Sequence, residues 1–100
     1  MQIIIESPGI RVRDSLLTLI QERLSQLEKM FGNITRCVVL LKKEKNNHAD
    51  HYEVEVNMAV PGKVLHARDL NYNFEASLYK VVDKIYRQLY RYKTEKEEIW

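Results

Sequence analysis

Thr35-Arg36-Cys37-Val38-Val39-Leu40-Leu41-Lys42-Lys43 is dense in β-formers. The unbroken apolar run from Cys37 to Leu41 suggests an interior strand, because a strand covered on both faces need not alternate. Just upstream, Gly32-Asn33 is a helix stop. It closes a segment in which Leu16, Leu17, Ile20, Leu24, Leu27 and Phe31 recur at steps of three and four, an amphipathic helix. Asp14 suits its first turn electrostatically, whereas Arg13 is a poor N-cap and leaves the start open. Further upstream, residues Gln2 to Ser7 read as a strand ended by Pro8-Gly9. Downstream, Lys43 to His48 reads as a polar loop. Tyr52, Val54, Val56, Met58 and Val60 then alternate with Glu53, Glu55, Asn57 and Ala59, a strand with one buried and one wet face. Pro61-Gly62 turns the chain into a short antiparallel strand, Lys63 to Asp69. The last helix begins near Asn71 or Asn73, both suitable caps, and runs into the mid-nineties on a stripe of Phe74, Leu78, Val81, Val82, Ile85 and Leu89.

The order is therefore βαβββα. The first two strands should be parallel, joined by a crossover helix, and the next two should add as an antiparallel meander. Each helix has a single apolar stripe, so both can cover one face of a four-stranded sheet. The expected fold class is a two-layer α+β sandwich. It should be a single domain over residues 1–100, with an ordered core at about 2–94 and a frayed tail at 95–100.

Composition narrows the function classes. The 100 residues are 45% hydrophobic and 30% charged, too apolar for a disordered chain. One cysteine cannot form an internal disulfide, which favours a reducing compartment and a cytoplasmic location. No apolar run is long enough to span a bilayer, and the opening MQIIIES lacks the flank of a secretory leader. The net charge of +2 hides an uneven distribution. Between Lys80 and Lys93 there are five basic residues, Lys80, Lys84, Arg87, Arg91 and Lys93, and one acid, Asp83, while Asn46 to Leu70 is acidic.

Lys80, Lys84, Arg87 and Arg91 fall within about 60° of one another on that helix, roughly 140° from its apolar stripe. Tyr79, Tyr86 and Tyr90 form a third stripe beside them. Cations at this pitch can meet successive phosphates, and tyrosines can stack on bases or donate to a backbone. The competing reading is a solvated face, with Asp83 paired to Arg87 and the tyrosines packed against the sheet edge. Composition alone favours that blander reading. Other candidates are weaker. His48-Ala49-Asp50-His51 lacks further ligands nearby, so no metal is expected. His66 has no identifiable catalytic partner, which makes a small hydrolase remote. Cys37 reads as a core residue, and Glu53 with Glu55 as a wet sheet surface. Neither an enzyme, nor a cofactor, nor a small-molecule substrate is indicated.

Three segments carry a family resemblance: Leu27-Glu28-Lys29-Met30-Phe31, Val38 to Lys45, and Asp83-Lys84-Ile85-Tyr86-Arg87-Gln88-Leu89 with Arg91 and Lys93 beyond. The chain resembles the ribosome hibernation-promoting factor and ribosome-associated inhibitor family, also called sigma-54 modulation proteins. The resemblance runs from Gln2 to about Lys96, and its length looks most like the short form. It implies a βαβββα fold similar to double-stranded-RNA-binding domains. It also implies a non-enzymatic factor that sits on the small ribosomal subunit between head and body. There it would contact ribosomal RNA, block messenger and transfer RNA, and preserve inactive ribosomes in starvation or stationary phase. The implied RNA-binding residues are Lys80, Lys84, Arg87, Arg91 and Lys93, with Arg23 and Lys29 from the first helix. A second basic family position is Gln26 here, for which Lys29 would substitute, and Arg36 and Lys42 are secondary candidates. A separate ribosome modulation factor is a partner left open. The alternative is a module that binds a protein through its sheet face or tyrosine stripe.

Overall fold

The computed structural model describes residues 1–46 and 49–98. Its elements are β1 (Gln2–Glu6), α1 (Asp14–Phe31), β2 (Arg36–Asn46), β3 (Ala49–Val60), β4 (Lys63–Asn71) and α2 (Phe74–Glu98). They form one sheet in the order β1-β2-β3-β4. β1 is parallel to β2, and the remaining pairs are antiparallel, as the sequence pattern implies.

Register sorts the side chains into rows. Ile3, Cys37, Met58 and Leu65 are aligned across the four strands, as are Ile5, Val39, Val56 and Ala67. These rows face the helices. With Leu16, Ile20, Leu24 and Leu27 of α1 and Leu78, Val81, Ile85 and Leu89 of α2 they make one core. Both helices therefore lie on the same side. Cys37 belongs to that core, and burial pushes its thiol up to about 12, so no reactive thiolate forms near neutral pH. The buried Ser77 hydroxyl donates to Tyr52 O at 2.6 Å, joining α2 to β3.

The opposite rows, such as Ile4–Val38–Asn57–His66, face away from the helices. β2 is interior in the sheet, but its Val38 and Leu40 are only half-buried, because no helix covers that face. Glu53 corrects an expectation. It is not on a wet surface: it is 3% exposed. Arg68 Nε donates to its carboxylate at 2.7 Å and Lys42 Nζ approaches at 3.9 Å. The long stems of these neighbours fold over the carboxylate while their charged ends stay in water.

The expected Lys43–His48 loop is mostly strand. β2 continues to Asn46, pairing Lys43 with Tyr52 and Glu44 with His51. Ladder hydrogen bonds satisfy the backbone there whatever the side chains are, and polar side chains stay in solvent. Lys43 Nζ lies 5.4 Å from the Tyr52 ring centroid, a cross-strand pair. β4 likewise extends to Asn71, beyond the expected Asp69. α2 is capped by Asn73, whose side-chain oxygen accepts from Ala76 N at 2.7 Å; the Asn71 oxygen instead accepts from Tyr72 N. α2 runs to Glu98, past the expected core limit at 94. α1 starts after Arg13, which offers no side-chain cap, and stops at Gly32, whose φ is 63° and whose N–H reaches Glu28 O at 2.7 Å.

Candidate nucleic-acid interface

The five predicted cations of α2, Lys80, Lys84, Arg87, Arg91 and Lys93, are exposed, but they do not share one surface. Lys80, Lys84, Arg87 and Arg91 lie on the flank nearest β4. Lys93 is turned about 150° from the middle of that stripe by the helical repeat, toward the α1 side. Lys29 lies on α1 roughly opposite its buried stripe, facing solvent. Arg23 is half-buried, its guanidinium 5.0 Å from the Tyr79 ring centroid. Of the seven predicted residues, the structure thus gathers four.

β4 is an edge strand, and edge strands expose unpaired backbone groups. α2 covers them. Gln88 Nε2 donates to His66 O at 2.6 Å, and Gln88 Oε1 accepts from His66 N at 3.2 Å. One turn earlier, Lys84 Nζ donates to Arg68 O at 2.8 Å and lies 3.4 Å from Asp69 Oδ1. Tyr92 donates to Pro61 O at 2.7 Å at the far end of the strand. Two polar members of the Asp83-to-Leu89 segment therefore seal the sheet edge, a role no spacing rule suggests. Homotypic pairing through this edge would have to break those bonds first.

The same docking creates a groove between β4 and α2, lined by His66, Arg68, Lys84, Arg87 and Arg91. Arg68 and His66 were missed by sequence reasoning. Alternation in β4 could have placed both on one face, but nothing in the sequence says that β4 is the edge beside α2. Arg87 pairs with Asp83 at 2.9 Å, both more than half exposed. Such pairs are worth well under about 1 kcal/mol, so a phosphate can take over the guanidinium at little cost. Arg91 has no ion-pair partner among the described residues. His66 is exposed, with Nδ1 2.7 Å from Asn57 Oδ1.

The tyrosines sit on the other flank. They are not packed against the sheet edge: Tyr79, Tyr86 and Tyr90 are 49%, 39% and 60% exposed. Phe31 meets Tyr86 edge to face at 5.6 Å. Contacts from Arg23 to Tyr79 and from Phe31 to Tyr86 run in the same order along both helices, so α1 and α2 are parallel. His48 lies outside the described residues, as do the surroundings of Asp50. Among the described residues no group of three His, Cys, Asp or Glu could hold a metal. No described helix is long and apolar enough to cross a membrane.

The sequence profile of the sigma 54 modulation protein / S30EA ribosomal protein family matches residues 3–97. The chain belongs to that family. A ribosome hibernation promoting factor from Salmonella typhimurium is 29% identical over 93 residues, covering 93% of this chain and 94% of the relative. The ribosome hibernation promotion factor of Deinococcus radiodurans is 29% identical over 87 residues, covering 86% of this chain and 46% of the relative. The chain thus spans about half the length of that second family member. A ribosomal subunit interface protein from Coxiella burnetii superposes with a TM-score of 0.81 at 19% identity, covering 94% of this chain and 99% of the other. The N-terminal domain of Thermus thermophilus Protein Y gives 0.79 at 16% identity, covering 92% and 99%. At these identities the two structures share the family fold.

Proposed function

We propose that this chain is a ribosome hibernation factor. It binds the small ribosomal subunit between head and body as a single ribosome-binding domain, contacts ribosomal RNA, and blocks the messenger and transfer RNA sites. Inhibition is by occupancy, so no catalytic residue is needed and the site of action is the cytoplasm. The observation that carries this reading is the cationic flank of α2, continued onto the sheet by Arg68 and His66. Exposed cations along one helix flank can displace counterions from RNA, giving binding that weakens steeply with salt.

The test is co-sedimentation of Lys80→Ala/Arg87→Ala/Arg91→Ala with small subunits across a salt series. Lys84 is left intact because it also holds the strand edge. The expected result is loss of binding with an unchanged melting temperature. Retained binding at moderate salt would sink the assignment. One observation favours a second reading, a protein-binding module: the sheet face carrying Ile4, Val38 and Leu40 has no helix over it. Association that survives both nuclease and high salt would favour that module. A sucrose-gradient profile of stationary-phase lysate shows whether the chain and a separate modulation factor travel with paired ribosomes.

A further inference from the structure

We propose that the groove between α1 and α2 is a stacking slot for an unpaired RNA base, with Tyr79 and Tyr86 as its platforms. The inference rests on the RNA-binding reading above and narrows it to single-stranded rather than duplex RNA. The groove is rimmed by Arg23, Gln26, Met30, Tyr79, Asp83 and Tyr86. Three observations point to a base. First, both rings are held from one side and open on another: the Arg23 guanidinium lies over Tyr79, and Phe31 packs edge to face with Tyr86. Their orientation is set before any ligand arrives, which lowers the ordering cost of stacking. Second, the floor is apolar while the rim offers the Gln26 amide and the Asp83 carboxylate. Between them these groups can donate to and accept from a base edge. Met30, 53% exposed, adds a soft apolar wall.

Third, the slot is placed to receive a strand whose backbone lies on the cations. Tyr79, Tyr86 and Tyr90 sit about 100° around α2 from Lys80, Lys84, Arg87 and Arg91. A strand crossing α2 with its phosphates on that stripe can turn a base over the tyrosines. A duplex cannot, since its bases are already stacked inside. Charge alone would serve either form of RNA; the aromatic groove is useful only to the unpaired one.

The experiment compares two probes at fixed salt, a fluorescein-labelled oligoadenylate and an RNA duplex of equal length. It tests parent, Tyr79→Ala, Tyr86→Ala, Tyr79→Phe, Tyr86→Phe and the Lys80/Arg87/Arg91 triple variant. Each Tyr→Ala change should weaken the single-strand probe about tenfold and leave the duplex unchanged, and each Phe variant should bind like the parent. The triple variant should lose both probes. Equal losses on both probes, or no loss for Tyr79→Ala, would overturn the slot. The cationic reading stands or falls separately on the triple variant. Tyr86→Ala also removes the Phe31 contact, so Tyr79→Ala, whose ring contributes less to the fold, is the deciding variant. If the Ala variants lose small subunits but bind the probes normally, the groove takes a ribosomal protein and the inference fails.

Discussion

The two flanks of α2 carry different side chains, cations with Gln88 on one and tyrosines on the other, and the fold treats them differently. On the β4 side, two side chains are tied down: Gln88 to both backbone groups of His66, and Lys84 to Arg68 O. On the α1 side, tyrosines stay largely open; among the described residues Arg23 lies over Tyr79 and Phe31 meets Tyr86. The difference follows from what each flank borders. A strand edge has unpaired N–H and C=O groups that side chains of suitable reach will satisfy. A neighbouring helix has none, because its backbone bonds are internal. Lys84 and Gln88 on the strand side are therefore held in place, while aromatic rings on the helix side keep free area.

The comparison can be tested in order of effect. Ile85 lies in the core between the flanks, so Ile85→Ala should cost about 2–5 kcal/mol in a denaturant melt and blur both surfaces together. Gln88→Ala removes the two bonds to His66 and should cost about 1–2 kcal/mol. Amide exchange at His66 should accelerate more than at core β2. If that exchange is unchanged, the edge seal is not what holds β4. Tyr86→Ala loses one aromatic pair and should cost about 0.5–1.5 kcal/mol. Arg87→Ala gives up only an exposed pair and should change the melt by less than about 0.5 kcal/mol, although it sits one residue from Gln88. A larger loss for Arg87 than for Gln88 would invert the assignment of sealing and binding roles on this flank.

Much of this was legible in residue spacing. Period-four apolar positions located α1 and α2, and period-two alternation located the inner face of β3. Counting 100° per residue brought Lys80, Lys84, Arg87 and Arg91 together and already sets Lys93 apart from them. Spacing failed where the answer depends on a neighbour distant in sequence. Glu53 looks like any carboxylate on a wet face until Arg68 and Lys42 close over it from adjoining strands. Lys43 to Asn46 look like loop because they are polar, yet ladder pairing is indifferent to side chains. The recognisable Asp83-to-Leu89 segment was legible as a family mark, but not as an edge seal.

The order βαβββα, the core residues, the cationic stripe and the family were determined by the sequence itself. Each depends on local periodicity or on a contiguous motif, and a helix or strand imposes those geometries wherever it packs. Tertiary structure decided the rest: α2 lies along the exposed edge of β4, and α1 runs parallel to it. These placements are set by how two apolar stripes fill one sheet face, a packing outcome no local pattern encodes. They bring Arg68 and His66 into the cationic groove and leave Tyr79 and Tyr86 uncovered beside α1.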